Sequence, residues 1–121
     1  MINYKPALIE MIKDSTKVPV LVQYPDTKIV PVIILIEDSN EQIRSLDKGT
    51  DIEAANIEIS LEIYSDNKEN LIYITNEVNK LLTGLGFIRN STDEGDNGVL
   101  YATTLKYKAN MYQYGDTIVI N

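Results

Sequence analysis

The sequence predicts an α+β domain: an antiparallel or mixed sheet of about four to five strands packed under two helices, in the order α-β-β-β-α-β with a short strand after it. Three stretches predict it. In NIEISLEIY, Ile57, Ile59, Leu61 and Ile63 alternate with Glu58, Ser60 and Glu62, the period of a half-buried strand. Leu71, Ile74, Val78, Leu81, Leu82 and Leu85 follow at spacings of three and four, which lay one stripe along a helix. Val99, Tyr101, Thr103, Leu105, Tyr107, Ala109 and Met111 then alternate with Lys106, Lys108 and Asn110.

Taken in order, residues 3–15 are expected to be a helix with Asn3 as N-cap, Pro6 in the first turn, and Tyr4, Leu8, Met11 and Ile12 facing the core. Residues 18–24 read as a strand that ends at the Pro25-Asp26 turn. Residues 29–37 form a second strand. Its run VIILI implies cover on both faces, by a helix on one side and a second subunit on the other, and Pro31 implies an edge or a bulge. The polar stretch 38–51, marked by Gly49, reads as a long loop, and loops of that length are usually functional. The strand 52–64 comes next. Asp66 or Asn67 caps the second helix, Glu69 complements its dipole, and Gly84 and Gly86 end it. Phe87 and Ile88 return the chain to the core, NSTDEGDNG is expected to be a surface turn, and the strand 99–111 follows. A Gly115-Asp116 turn leads to a short strand, Ile118 to Ile120.

At 121 residues the chain suits a single domain, 1–121, that buries roughly two thirds of its unfolded surface. Cysteine and histidine are both absent, which removes the thiolate nucleophile, the commonest general base, and zinc sites built on sulfur or nitrogen. Neither a catalytic residue, a cofactor site nor a metal site is therefore expected. Glu58 and Glu62 share a strand face about 13 Å apart, beyond the spacing of a glycosidase carboxylate pair. The stretch from Asp93 fails as a calcium loop, with Gly95 at a ligand position and Thr104 where a glutamate is needed. Gly84-Leu85-Gly86 follows a helix, so it cannot cradle a phosphate on a helix N-terminus.

The net charge of -7 argues against a DNA-gripping surface. Eight tyrosines could build a stacking platform for single strands, but the acidic balance favours packing roles for them. No apolar run reaches the ~20 residues of a membrane helix, so no membrane partner is expected, nor does the N-terminus read as a signal peptide. What remains is a domain with more apolar strand than two short helices are expected to cover, which implies a partner.

The N-terminal helix, the strand EISLEIYSDN, the helix NLIYITNEVNKLLTGLGF and the strand VLYATTLKYKANM together resemble the tail terminator (tail completion) proteins of long-tailed bacteriophages. The resemblance covers most of the chain from Ile52 onward and rests on element order and aliphatic periodicity. It implies a structural virion protein, assembled in the host bacterial cytoplasm, that forms a homo-oligomeric, hexameric ring on the tail tube, ends its polymerisation and presents a surface to head-tail connector (neck) proteins. Six copies would place 6 × -7, about -42 charges, around a channel that DNA crosses without specific binding. On this reading Glu41, Arg44, Asp47, Lys48 and Asp51 are candidates for contact with tail tube or channel, and Glu58, Glu62, Tyr64, Lys106, Lys108, Ile118 and Ile120 for the subunit interface. Two other readings remain open: another head-tail joining protein or the terminator of a contractile tail or bacteriocin, and a small dimeric α+β ligand-binding or regulatory domain.

Overall fold

The computed structural model describes residues 2–43, 52–96 and 100–121. Two helices, α1 (Lys5–Thr16) and α2 (Lys68–Leu85), accompany six strands: β1 (Val20–Leu21), β2 (Val32–Ile43), β3 (Ile52–Ser65), β4 (Ile88–Asp96), β5 (Tyr101–Tyr114) and β6 (Thr117–Ile120). The fold is α+β, and the sheet is mixed: β1 runs parallel to β2 and every other pair is antiparallel. Strand order is β1-β2-β3-β5-β4, and β6 also pairs with β5. Because β4 takes Tyr101 to Lys108 of β5 and β6 takes Met111 to Tyr114, the two lie end to end along one flank of β5.

One sheet face carries the core. Ile33 and Leu35 of β2, Ile57, Ile59, Leu61 and Ile63 of β3, and Leu105, Tyr107 and Met111 of β5 are buried against Leu8 and Ile12 of α1 and Leu71, Ile74, Val78 and Leu82 of α2. Each such aliphatic side chain contributes about 1.5–3 kcal/mol by leaving water. The Tyr107 ring meets Phe87 edge-on at 6.4 Å, and its hydroxyl donates to Asn79 Oδ1 at 2.8 Å. Burial pushes the pKa of that hydroxyl up to about 12, against the opposing pull of Arg89.

The helix ends show which local signals win. Asn67 caps α2, its Oδ1 accepting from the Asn70 N–H at 3.0 Å, and Gly86 closes it in the left-handed region at φ 112°. Gly84, expected to help end the helix, lies inside it. In α1 the cap is Tyr4 rather than Asn3, with no side-chain cap bond, because the Tyr4 ring is drawn into the core and its backbone stays helical. Met11, expected on the core stripe, is 38% exposed: Leu8, Ile12 and Thr16 define the buried edge.

Four strand expectations are corrected. The strand expected over residues 18–24 shrinks to β1, since Pro19 and Pro25 lack the N–H a ladder needs. The second strand starts after Pro31 and runs on to Ile43, so the first part of the expected loop is strand. Polarity does not bar pairing where β3 offers a ladder out to Ile43↔Ala54, past a bulge between Glu37 and Ser39. The expected turn NSTDEGDNG supplies most of β4, an edge strand exposed from Ile88 to Gly95, where no apolar alternation is required. Ile88 is therefore solvent-facing instead of tucked inward.

Candidate functional site

The sheet face turned away from the helices is built from cross-strand rows, because residues paired in register share a face. At one end it is apolar and covered by the chain itself. Val32 and Ile34, on the opposite side of β2 from Ile33 and Leu35, are buried beneath residues 24–30, which enclose with them and Tyr64 a cavity of about 230 Å³. The second-subunit cover expected for VIILI is thus supplied intramolecularly. A hydrogen-bonded cluster pins this strap: the Tyr24 and Tyr64 hydroxyls both donate to Glu62 Oε1, Tyr64 at 2.7 Å, and the two oxygens lie 3.2 Å apart. Burial, the bond to Tyr24 and the Glu62 carboxylate raise the Tyr64 pKa well above the ordinary tyrosine range. Tyr24 is raised too, by burial and by Glu62.

Beyond the strap the face becomes charged and then apolar again. Lys106 lies opposite Ser60, whose hydroxyl donates to Asp38 Oδ2 at 2.5 Å beside the bulge. Next comes the row Ser39–Glu58–Lys108–Ile88, then Glu41–Asn56–Asn110, continued to Asn121 by a pair of backbone hydrogen bonds at 2.8 and 3.2 Å. Side chains of these two rows line a groove of about 570 Å³. The last full row is Ile43–Ala54–Tyr112–Val119, crossing β2, β3, β5 and β6, with Tyr114 beyond it. Ile43, Val119 and Tyr114 are 39%, 45% and 49% exposed.

The sequence candidates separate on this map. Glu58, Lys106 and Lys108 stand together on the outer face, Glu58 directly across from Lys108, while Glu62 and Tyr64 belong to the strap cluster. Ile118 and Ile120 point the other way and pack against the chain's own core, where Ile120 lies beside Gly86. Both are half-buried there, on the sheet face opposite the one that carries Glu58 and Lys108. Glu41 is exposed on the amide row. Arg44, Asp47, Lys48 and Asp51 lie outside the described residues. Sequence reasoning missed Tyr24, Ile43, Tyr112, Val119 and the three asparagines, because each row is assembled from four distant segments by register.

On the helix side a second cluster gathers at Glu37, whose Oε1 accepts from Tyr4 at 2.9 Å and Asn40 Nδ2 at 3.0 Å while Lys5 Nζ stands 3.3 Å from Oε2. Burial pushes the Glu37 pKa up, but the bonds from Tyr4, Asn40 and Lys5 outweigh it and hold the carboxyl below its ordinary value. Burial first, then the bond to Glu37 and the charges of Glu37 and Asp38, push the Tyr4 hydroxyl far up. This cluster ties α1 to β2. Among the described residues no three acidic, histidine or cysteine side chains converge to hold a metal, and no helix is long and apolar enough to cross a membrane. The outer face is thus a sheet surface whose far end is apolar, bordered by amides and carboxylates. No model of a known protein family matches the chain, and no match is found among curated proteins.

Proposed function

We propose that this chain is a tail terminator: a structural virion protein that assembles as a ring, six copies in the reading taken here, on the last layer of a phage tail tube, ends its growth and offers a surface to the neck. The observation that carries the reading is the row Ile43–Ala54–Tyr112–Val119. The chain buries Val32 to Leu35 of the VIILI run itself, but among the described residues this row stays open across four strands, and an open apolar surface of that kind marks an interaction site. The element order agrees with the resemblance to tail terminators, and the net charge of -7 per copy would keep DNA from adhering as it passes.

The test is direct. Purified chain is measured by sedimentation alone and with polymerising tube protein, and tube lengths are read by electron microscopy. The reading expects a closed ring and tubes that stop growing at a capped end. A compact monomer at high concentration that leaves tube length unchanged rejects it.

A further inference from the structure

The apolar row has a counterpart on the opposite layer of the same molecule. Along α2, Ile72, Tyr73, Asn76 and Lys80 share the exposed side, and Ile72 and Tyr73 are 52% and 57% exposed although α2 is otherwise amphipathic. Read along the helix from Ile72, the order is apolar, amide, cation, with Glu69 one turn before it. Read along the β2–β3 half of the outer sheet face, the order is Ile43 and Ala54, then Glu41 and Asn56, then Glu58: apolar, amide with carboxylate, carboxylate. The spacings agree. Eight residues from Ile72 to Lys80 rise about 12 Å, and two row steps of two residues each cover about 13 Å.

We infer that the exposed side of α2 in one copy docks along the apolar end of the outer sheet face of the next, resting on the assembly reading above and supplying its interface. Ile72 and Tyr73 cover Ile43, Ala54 and Tyr112; Asn76 meets the amide row, where an amide can both donate and accept; Lys80 meets Glu58 and Glu41. The occupant is a second copy because the two surfaces match in polarity order and spacing, Lys80 complements Glu58 and Glu41, and the described residues leave each surface exposed. They lie on opposite layers, so the contact is heterologous, and its repetition closes a ring or runs on as a filament, whereas a face-to-face contact would stop at two. The tube-facing surface is left to other parts of the chain.

Each variant in the test alters an exposed side chain, and circular dichroism melts verify that it folds. Tyr73→Asp spoils the helix side and keeps the sheet side; Ile43→Asp does the reverse. Sedimentation velocity is expected to show each as a monomer, and their equimolar mixture as a one-to-one dimer with nothing larger. Lys80→Glu is expected to weaken wild-type assembly roughly two- to fivefold, as an exposed ion pair would, and Lys80→Glu with Glu58→Lys in one chain to recover it. Self-association of Tyr73→Asp alone, or a mixture that stays monomeric, overturns the contact. A wild-type chain that closes a ring without halting tube growth leaves the contact standing and removes the tail reading. A chain that halts tube growth while the mixture stays monomeric does the opposite.

Discussion

Tyr4 and Glu37, 33 positions apart, meet through a 2.9 Å hydrogen bond that fixes α1 onto β2 one residue before the bulge. Glu37 therefore carries a pH-dependent share of stability. Its folded pKa is depressed, so the stabilisation is present above the unfolded value of about 4.3 and is lost as pH falls through the lower folded value. Glu37→Gln is expected to cost about 1–2 kcal/mol at pH 7 and to flatten the acid limb of a stability–pH curve measured by urea unfolding. An unchanged acid limb counts against this assignment.

Gly84 and Gly86, two residues apart, should respond to alanine with opposite signs. Gly84 is helical with open space where a Cβ would sit, so Gly84→Ala is expected to stabilise by about 0.5–1 kcal/mol. At Gly86 the backbone has φ 112°, and a Cβ would lie 3.0 Å from the Ile120 carbonyl oxygen. Gly86→Ala is expected to cost about 1–3 kcal/mol, read as a lowered thermal midpoint.

The strap over Val32 and Ile34 is fastened by few bonds. Tyr24→Phe removes one hydroxyl from Glu62 while leaving the Tyr64 bond, so global stability should fall by no more than about 1 kcal/mol. Local opening should rise more visibly. Hydrogen exchange of the backbone amides in residues 22–30 is expected to speed up, with β3 unchanged.

Leu61→Ala should cost about 2–5 kcal/mol, since the side chain is fully buried between sheet and helices. Ile88→Ala should stay within about 0.5 kcal/mol, since Ile88 is 58% exposed on β4. Equal costs would mean that β4 packs differently from the description above.

How much was legible follows from how each segment meets water. β3, β5 and α2 bury one side and wet the other, so alternation and the three-four stripe declared them, and Asn67 and Gly86 marked the ends of α2. β4 is wet on both sides and left no period to read. The outer part of β2 is polar and becomes strand through its partner, a tertiary effect no local propensity carries. The strap was invisible for a related reason: VIILI announces two covered faces but not what covers the second. The candidate site was legible one residue at a time, Glu58 and Lys108 among them. Its rows required the register.

β5 is the spine of this sheet, with β3 along its whole length on one side and β4 and β6 sharing the other. It is also synthesised after β3, α2 and β4, the elements it joins. Until it emerges from the ribosome, β3 presents a bare hydrogen-bonding edge and α2 hangs over half a floor, while β4 has no strand partner among the described residues. Newborn chains are thus exposed to strand-to-strand misassociation until β5 emerges, and the sheet closes in one event in which a long strand seats the neighbours made before it.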